Sequence, residues 1–414
     1  MTPRREADTE QEAYQILYTW YVYQAPGTGD KLTVFDDVER PADDDGKLHA
    51  EADFAYLNRS GRVEMSNARA LVEGWFARYP AEHQRGLRSR LRSDDIAFES
   101  AFFELYLNEL LLTLGYALVV ELRAGTKGKS PDFLVTSPDG SSFYLEACVV
   151  SAKSKEEVAG ERRANQVYDQ IDKLVSPDFF IGIEIREHPM SPPPGREVRR
   201  FLTQKVASTS WEDMNAAMDV GGLEALPRWR FSDDSWEVDF FPIPKRAEER
   251  GTPETRPLGI RVYEARTLSD VEDIQAAIVR KAGKYGDLHS PFIVAVNLLS
   301  GFSDEGIVLK SLLGRTQFTL TRSASGVTGS WGRAPNGVWT SPRGPRYTRL
   351  SGVLVAHHAK PWSVGSSELL YYPNPWAATP LPSPLPRLPR FRIDDDEYVR
   401  VEGTETVEIF GLDP

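Results

Sequence analysis

Between Ser130 and Val150 the chain reads SPDFLVTSPDGSSFYLEACVV, and two of its acids, Asp132 and Glu146, are placed to act on one cation. Their neighbours are apolar or small (Phe133 on one side; Leu145 and Ala147 on the other), which sets both carboxylates in strands rather than in a solvated acidic loop. Between them, Ser137-Pro138-Asp139-Gly140 is a turn signal, with proline pre-set for the second position and glycine where a positive φ is required. A three-residue hairpin loop with a glycine bulge would make Ser137 face Ser141, and Asp132 would then stand opposite Glu146. Opposed residues share a face, with Cβ atoms about 4.5–5.5 Å apart. Two carboxylates that close repel unless a proton or a cation neutralises one of them. Hard oxygen ligands suit Mg²⁺ or Mn²⁺, and such an ion lowers the pKa of a bound water and offsets charge on a phosphate. The plainer reading is that Asp132 merely opens a strand and Glu146 lies on its exposed face.

Several elements must hold this pair. Ser93-Asp94-Asp95 predicts the cap of a helix running to about Leu114, closed by Gly115. Strands follow at Ala117–Leu122, Phe133–Thr136 and Phe143–Val150, then a helix at Lys155–Leu174 and a strand at Phe179–Ile185. The order is α-β-β-β-α-β. On the first of these helices Glu104 shares a narrow polar stripe with Ser100 and Asn108, amid Phe and Leu. A carboxylate so placed needs a partner, and a shared metal would serve. Glu99 and Glu109 lie elsewhere on the helix and read as surface residues.

The segment resembles the core of the restriction-endonuclease-like superfamily, of PD-(D/E)XK type, in its bacterial and actinobacterial-type members. Pro131-Asp132 matches the first motif and Glu146 the acid of the second, while Glu104 in FFELYLNELLLTLG matches the glutamate that many members place on the first helix. The family pattern puts lysine two residues after the second acid. Here that residue is Cys148, which carries no positive charge. Lys127, Lys129, Lys153 and Lys155 are close in sequence, and Lys153 and Lys155, between strand and helix, are the expected replacements. Lys281, Lys284 and Tyr285 could touch phosphates, but the simpler reading is that they end an amphipathic helix. The resemblance implies a divalent-metal-dependent nuclease that cleaves DNA, or less readily RNA. In it Glu104, Asp132 and Glu146 would hold Mg²⁺ or Mn²⁺, with Lys153 and Lys155 assisting, in restriction or phage defence. A homodimer or a larger defence complex would be its assembly. The rival, favoured by Cys148, is a catalytically silent relative that binds nucleic acid or regulates a complex.

The expected organisation is α/β. A mainly helical region (1–93) holds candidate helices at Glu10–Tyr23 and from Ser66 to Pro80, with an acidic loop between them. The nuclease-like core (94–188) follows, then an α/β extension (189–375) and a proline-rich connector and tail (376–414). Within the extension, Arg196–Val206 reads as helix and Trp236–Phe241 as strand. Leu258–Tyr263, Val271–Lys284 and Phe292–Leu298 read as a strand–helix–strand unit with parallel pairing. Val353–His357 and Leu369–Tyr372 read as further strands. The 414 residues carry a net charge of −12, which argues against a generic nucleic-acid coat protein. Basic clusters such as Arg85–Arg92 read singly as solvated helix faces. One cysteine excludes an internal disulfide or a thiolate zinc cluster, and a membrane span or secretory leader is not expected, so the expected location is cytoplasmic.

Overall fold

The computed structural model describes residues 32–41, 46–124, 127–151, 155–185, 189–233, 236–252, 256–263, 270–299, 304–323, 326–382, 385–394 and 397–412. The expected helix Glu10–Tyr23 lies outside them. The chain forms two compact units. The first takes the described part of Met1–Pro41 with Gly61–Val150 and Asp270–Pro414; the second takes Ala42–Ser60 and Ser151–Ser269.

Helix α1 (Asp53–Arg59) belongs to the second unit and occupies a stretch expected to be an exposed loop. In the first unit, α2 (Val63–Arg78) starts a turn earlier than Ser66, with Arg62 at its N-cap. It stops at Tyr79 because Pro80 disfavours a helical residue before it, and Pro80 instead opens α3 (Ala81–Leu91). Asp94 caps α4 (Asp95–Thr113) through its side chain, which accepts the Ala97 N–H at 2.9 Å. Gly115, at φ +86°, closes that helix. Tyr116 N–H reaches Leu111 O and Gly115 N–H reaches Leu112 O, the paired bonds of a Schellman cap.

Strands β1 (Ala117–Val120), β2 (Phe133–Thr136) and β3 (Ser142–Val150) follow as an antiparallel meander. The chain then leaves this sheet. Helix α5 (Lys155–Ile171), β4 (Phe179–Ile185), α6 (Gly195–Ala207), α7 (Trp211–Gly221), β5 (Trp229–Ser232), β6 (Glu237–Pro244) and β7 (Leu258–Tyr263) build the second unit. Its sheet has the order β5-β6-β4-β7. Ala164, Val167, Tyr168 and Ile171 of α5 pack there against Ile181 and Ile183 of β4.

The first unit resumes with α8 (Asp270–Ala282), β8 (Phe292–Leu298) and α9 (Glu305–Leu313). Next come a two-stranded ribbon, β9 (Thr316–Ser323) with β10 (Gly326–Arg333), and a short hairpin, β11 (Thr340–Ser341) with β12 (Gly344–Pro345). Strands β13 (Gly352–His357), β14 (Glu368–Pro373), β15 (Arg390–Asp394) and β16 (Glu397–Val401) lead to a terminal helix, α10 (Thr406–Phe410). The large mixed sheet has the order β1-β2-β3-β8-β13-β14-β15-β16. β8 lies parallel to both β3 and β13, with Val294 opposite Glu146.

This topology corrects the expected organisation in two places. The helix and strand at 155–185 do not complete the sheet of β1–β3, so a continuous core over 94–188 does not form; α8 and β8 take those positions. β7 and β8, expected as parallel neighbours, lie in different sheets. The segment FFIGIEI puts Phe179, Ile181, Ile183 and Ile185 on one face and Phe180, Gly182 and Glu184 on the other, and nothing in that pattern marks which sheet it will enter.

Candidate functional site

The β2–β3 hairpin sets the site. Ser137 N–H donates to Ser141 O at 2.8 Å, Gly140 N–H returns to Ser137 O at 2.9 Å, and Gly140 takes φ +84°. That loop pairs Phe133 with Leu145 and Thr136 with Ser142. One step further, Asp132 falls opposite Glu146, the register expected from the turn. Asp132 is half-buried, and its Oδ2 accepts the Ala147 N–H at 2.7 Å. Burial, then the charge of Glu146 and more weakly that of Glu104, push its carboxyl up to about 7, against the Ala147 N–H and Lys281.

Glu146 is fully buried. Its partners come from the end of α8 and the residues after it. Lys281 Nζ donates to Oε1 at 2.6 Å, Lys284 Nζ donates to the same oxygen at 2.9 Å, and the Tyr285 hydroxyl donates to Oε2. Burial would raise this carboxyl, but the Lys281 charge and the three donated hydrogen bonds outweigh it and hold Glu146 below its usual range. Tyr285 is pushed the other way, first by burial and then by Glu146.

The phase of α8 explains the arrival of Lys281. Ile274 and Ile278 lie on the stripe that covers Cys148, Val150, Val294 and Val296, and Lys281 is the next residue along that stripe. Cys148 is buried in this apolar cluster, and burial pushes its thiol up to about 12, so it stays neutral. A helix from far along the chain thus supplies the ammonium that position 148 does not.

Glu104 is also buried, and its partners are protein groups. Arg90 on α3 grips it at 2.6 and 3.0 Å, and the Tyr79 hydroxyl donates to Oε1. Arg90 comes from a cluster expected to be a solvated helix face. Glu109, expected at the surface, is buried and bonded by Arg78, while Glu99 pairs with Lys360 at 3.1 Å. Asn108, one turn beyond Glu104, is wholly buried and neither atom of its amide has a partner among the described residues.

Of the expected site residues, Asp132 and Glu146 are brought together, and Glu104 lies close enough for Asp132 to feel its charge. Lys153 lies outside the described residues, as does the side chain of Lys155, whose backbone opens α5 in the second unit. The lysines that reach Glu146 are Lys281 and Lys284. In the sequence both read most simply as the end of an amphipathic helix. The signal is the pair of lysines closing an amphipathic stripe ahead of a strand that is apolar but for Asn297. Among the described residues, no group of three or more His, Cys, Asp or Glu side chains converges on one cation position. No family profile, no curated protein and no solved structure matches the chain.

Proposed function

We propose that the protein is a divalent-metal-dependent phosphodiester hydrolase acting on nucleic acid, with DNA as the preferred substrate. In this reading its core is of restriction-endonuclease-like type, interrupted after β3 by Ser151–Ser269 of the second unit and resumed by α8 and β8. The observation that carries it is Lys281 Nζ at 2.6 Å from Glu146 Oε1, over a neutral Cys148 and with Asp132 opposite. That places two acids and a lysine together although the local motif lacks the lysine.

The donor set suits a hard cation, because the acidic side chains brought together here are all carboxylates. Asp132 carries the uncompensated repulsion, since Glu104 has Arg90 and Glu146 has Lys281 and Lys284. Asp132 and Glu146 would hold Mg²⁺ once Lys284, the more exposed of the two lysines, releases Glu146. When bound, the ion supplies an acidified water and neutralises charge on the phosphate. Lys281 then faces the phosphate oxygens and stabilises the charge that builds there. Arg90 and Tyr79 hold Glu104 in place beside the pair. Restriction or phage defence is the biological setting that suits such an enzyme. Among the described residues no helix is long and apolar enough to cross a membrane.

The test is cleavage of single- and double-stranded DNA and RNA by the purified chain with Mg²⁺ and with Mn²⁺, beside Asp132→Asn and Lys281→Ala. Cleavage abolished by either substitution supports the proposal. No cleavage of any substrate, together with no Mn²⁺ binding in a calorimetric titration, overturns it. One observation favours a silent nucleic-acid-binding relative instead: Arg90 already pairs with Glu104, and Lys281 and Lys284 with Glu146, without a metal. Nucleic-acid binding that persists without metal binding would select that second reading.

A further inference from the structure

From Gly306 to Ser367 the chain holds no aspartate or glutamate and eight lysines and arginines, in a protein of net charge −12. The β9–β10 ribbon lies within this stretch. Its register pairs Phe318 with Trp331, Leu320 with Gly329 and Arg322 with Val327, so strand alternation puts these six residues on one face. That face is bare: Trp331 is 74% exposed, Leu320 68%, Val327 61% and Phe318 49%. The Phe318 ring lies 5.1 Å from that of Trp331 and covers Gly329, where any side chain would collide with it. The two rings form a platform with Arg322 further along the same face.

The root of the ribbon is tied to the helix that serves the acid pair. Ala334 N–H donates to Arg315 O at 2.8 Å, and Arg315 bonds Glu272 of α8 at 2.7 Å. From Glu272 to Lys281 is about 13 Å along a helix axis, at ~1.5 Å per residue.

We propose that this ribbon face docks a nucleic-acid strand with unpaired bases, which stack on Phe318 and Trp331 while arginines of the acid-free stretch meet the phosphates. The choice of partner rests on the hydrolase reading, because Arg315 at the root of the ribbon is bonded to the helix that carries Lys281. Aromatic rings beside arginines suit a strand, since every base offers a π-face and every linkage a negative charge. An acidic protein would meet the arginines but leave the rings without a matching surface.

The test measures fluorescence anisotropy of a labelled oligothymidylate and of a duplex of equal length with the full chain in EDTA, across a salt series. Phe318→Ala with Trp331→Ala should weaken oligothymidylate binding by about tenfold or more. Arg322→Gln should lower the salt slope by about 0.7. Oligothymidylate should also quench tryptophan emission in the wild type and less so in Trp331→Ala. These residues are exposed, so melting temperatures should match the wild type. Unchanged binding in all variants overturns the proposal. So does a preference for duplex that ignores Trp331, ribbon-dependent self-association in sedimentation, or a Trp331 already shielded from iodide quenching in the free chain. If ribbon variants bind like the wild type while Asp132-dependent cleavage persists, only the docking proposal falls. If ribbon-dependent binding persists without cleavage, only the hydrolase reading falls.

Discussion

Lys281 and Glu146 lie 135 positions apart in the chain, yet Lys281 Nζ stands 2.6 Å from Glu146 Oε1. The carboxylate is fully buried, and the ammonium is itself largely covered. Close pairing with Glu146 raises the proton affinity of Lys281 although burial opposes it, so the lysine stays charged near neutral pH. A charge held this firmly at the acid pair can act on a phosphate without first having to be ordered.

Lys281→Ala should therefore slow single-turnover DNA cleavage by about 10²-fold or more, as loss of one preorganised electrostatic donor does. Lys284→Ala should cost less, because that side chain is more exposed and shares Glu146 Oε1 with Lys281. It should also tighten Mn²⁺ binding, since one competitor for the oxygen is gone. Titration calorimetry of the two variants checks the second half. Equal Mn²⁺ affinity in Lys284→Ala and wild type would remove the competition.

Asp132→Asn should abolish cleavage and flatten the dependence of stability on pH. The folded-state pKa of Asp132 is raised from 3.8 to about 7, so between these values the folded protein binds a proton that the unfolded chain has released. Its contribution is fully present below the lower value and is lost as pH rises through the upper one. The variant should match wild type near pH 4 and exceed it near pH 8 in metal-free urea melts. Glu146 acts in the opposite sense: held below 4.5, it contributes stability above that pH and loses it on further acidification.

Cys148→Lys should not create or improve activity. It would push a second ammonium towards Lys281 inside a cluster of Ile274, Ile278, Val294 and Val296. An unpaired buried charge typically costs ~3–5 kcal/mol. A large fall in melting temperature for Cys148→Lys, against a small one for Cys148→Ala, checks this; a gain in cleavage rate would show that position 148 itself needed the lysine.

Arg90→Ala should destabilise the fold by about 1–3 kcal/mol, because Glu104 is left buried with only the Tyr79 hydroxyl. Arg90 is partly exposed, which keeps the figure at the low end. Glu104→Gln retains an acceptor for Tyr79, so it should cost activity more than stability. Urea melts and cleavage rates for the two variants separate the effects.

What could be read from the chain was whatever neighbouring residues decide among themselves. Asp94 caps α4 by reaching three residues ahead, Gly115 closes it because only a positive φ ends that helix, and Pro138 to Gly140 set the hairpin. The register of that hairpin then delivers Asp132 opposite Glu146, with no help from the rest of the fold. The limits of the strand at Phe179–Ile185 were equally legible, but its sheet was not. A face of Phe179, Ile181, Ile183 and Ile185 packs equally well against many partners, so the choice between closing the β1–β3 sheet and founding a second one fell to long-range packing. The companions of the acids were decided there too. Lys281 reaches Glu146 because α8 lays Ile274 and Ile278 over Cys148, and Arg90 reaches Glu104 because Pro80 turns α3 back along α4. A lysine at a helix end and an arginine in a basic run look the same whether they face water or a buried carboxylate, and only the tertiary fold supplies the carboxylate.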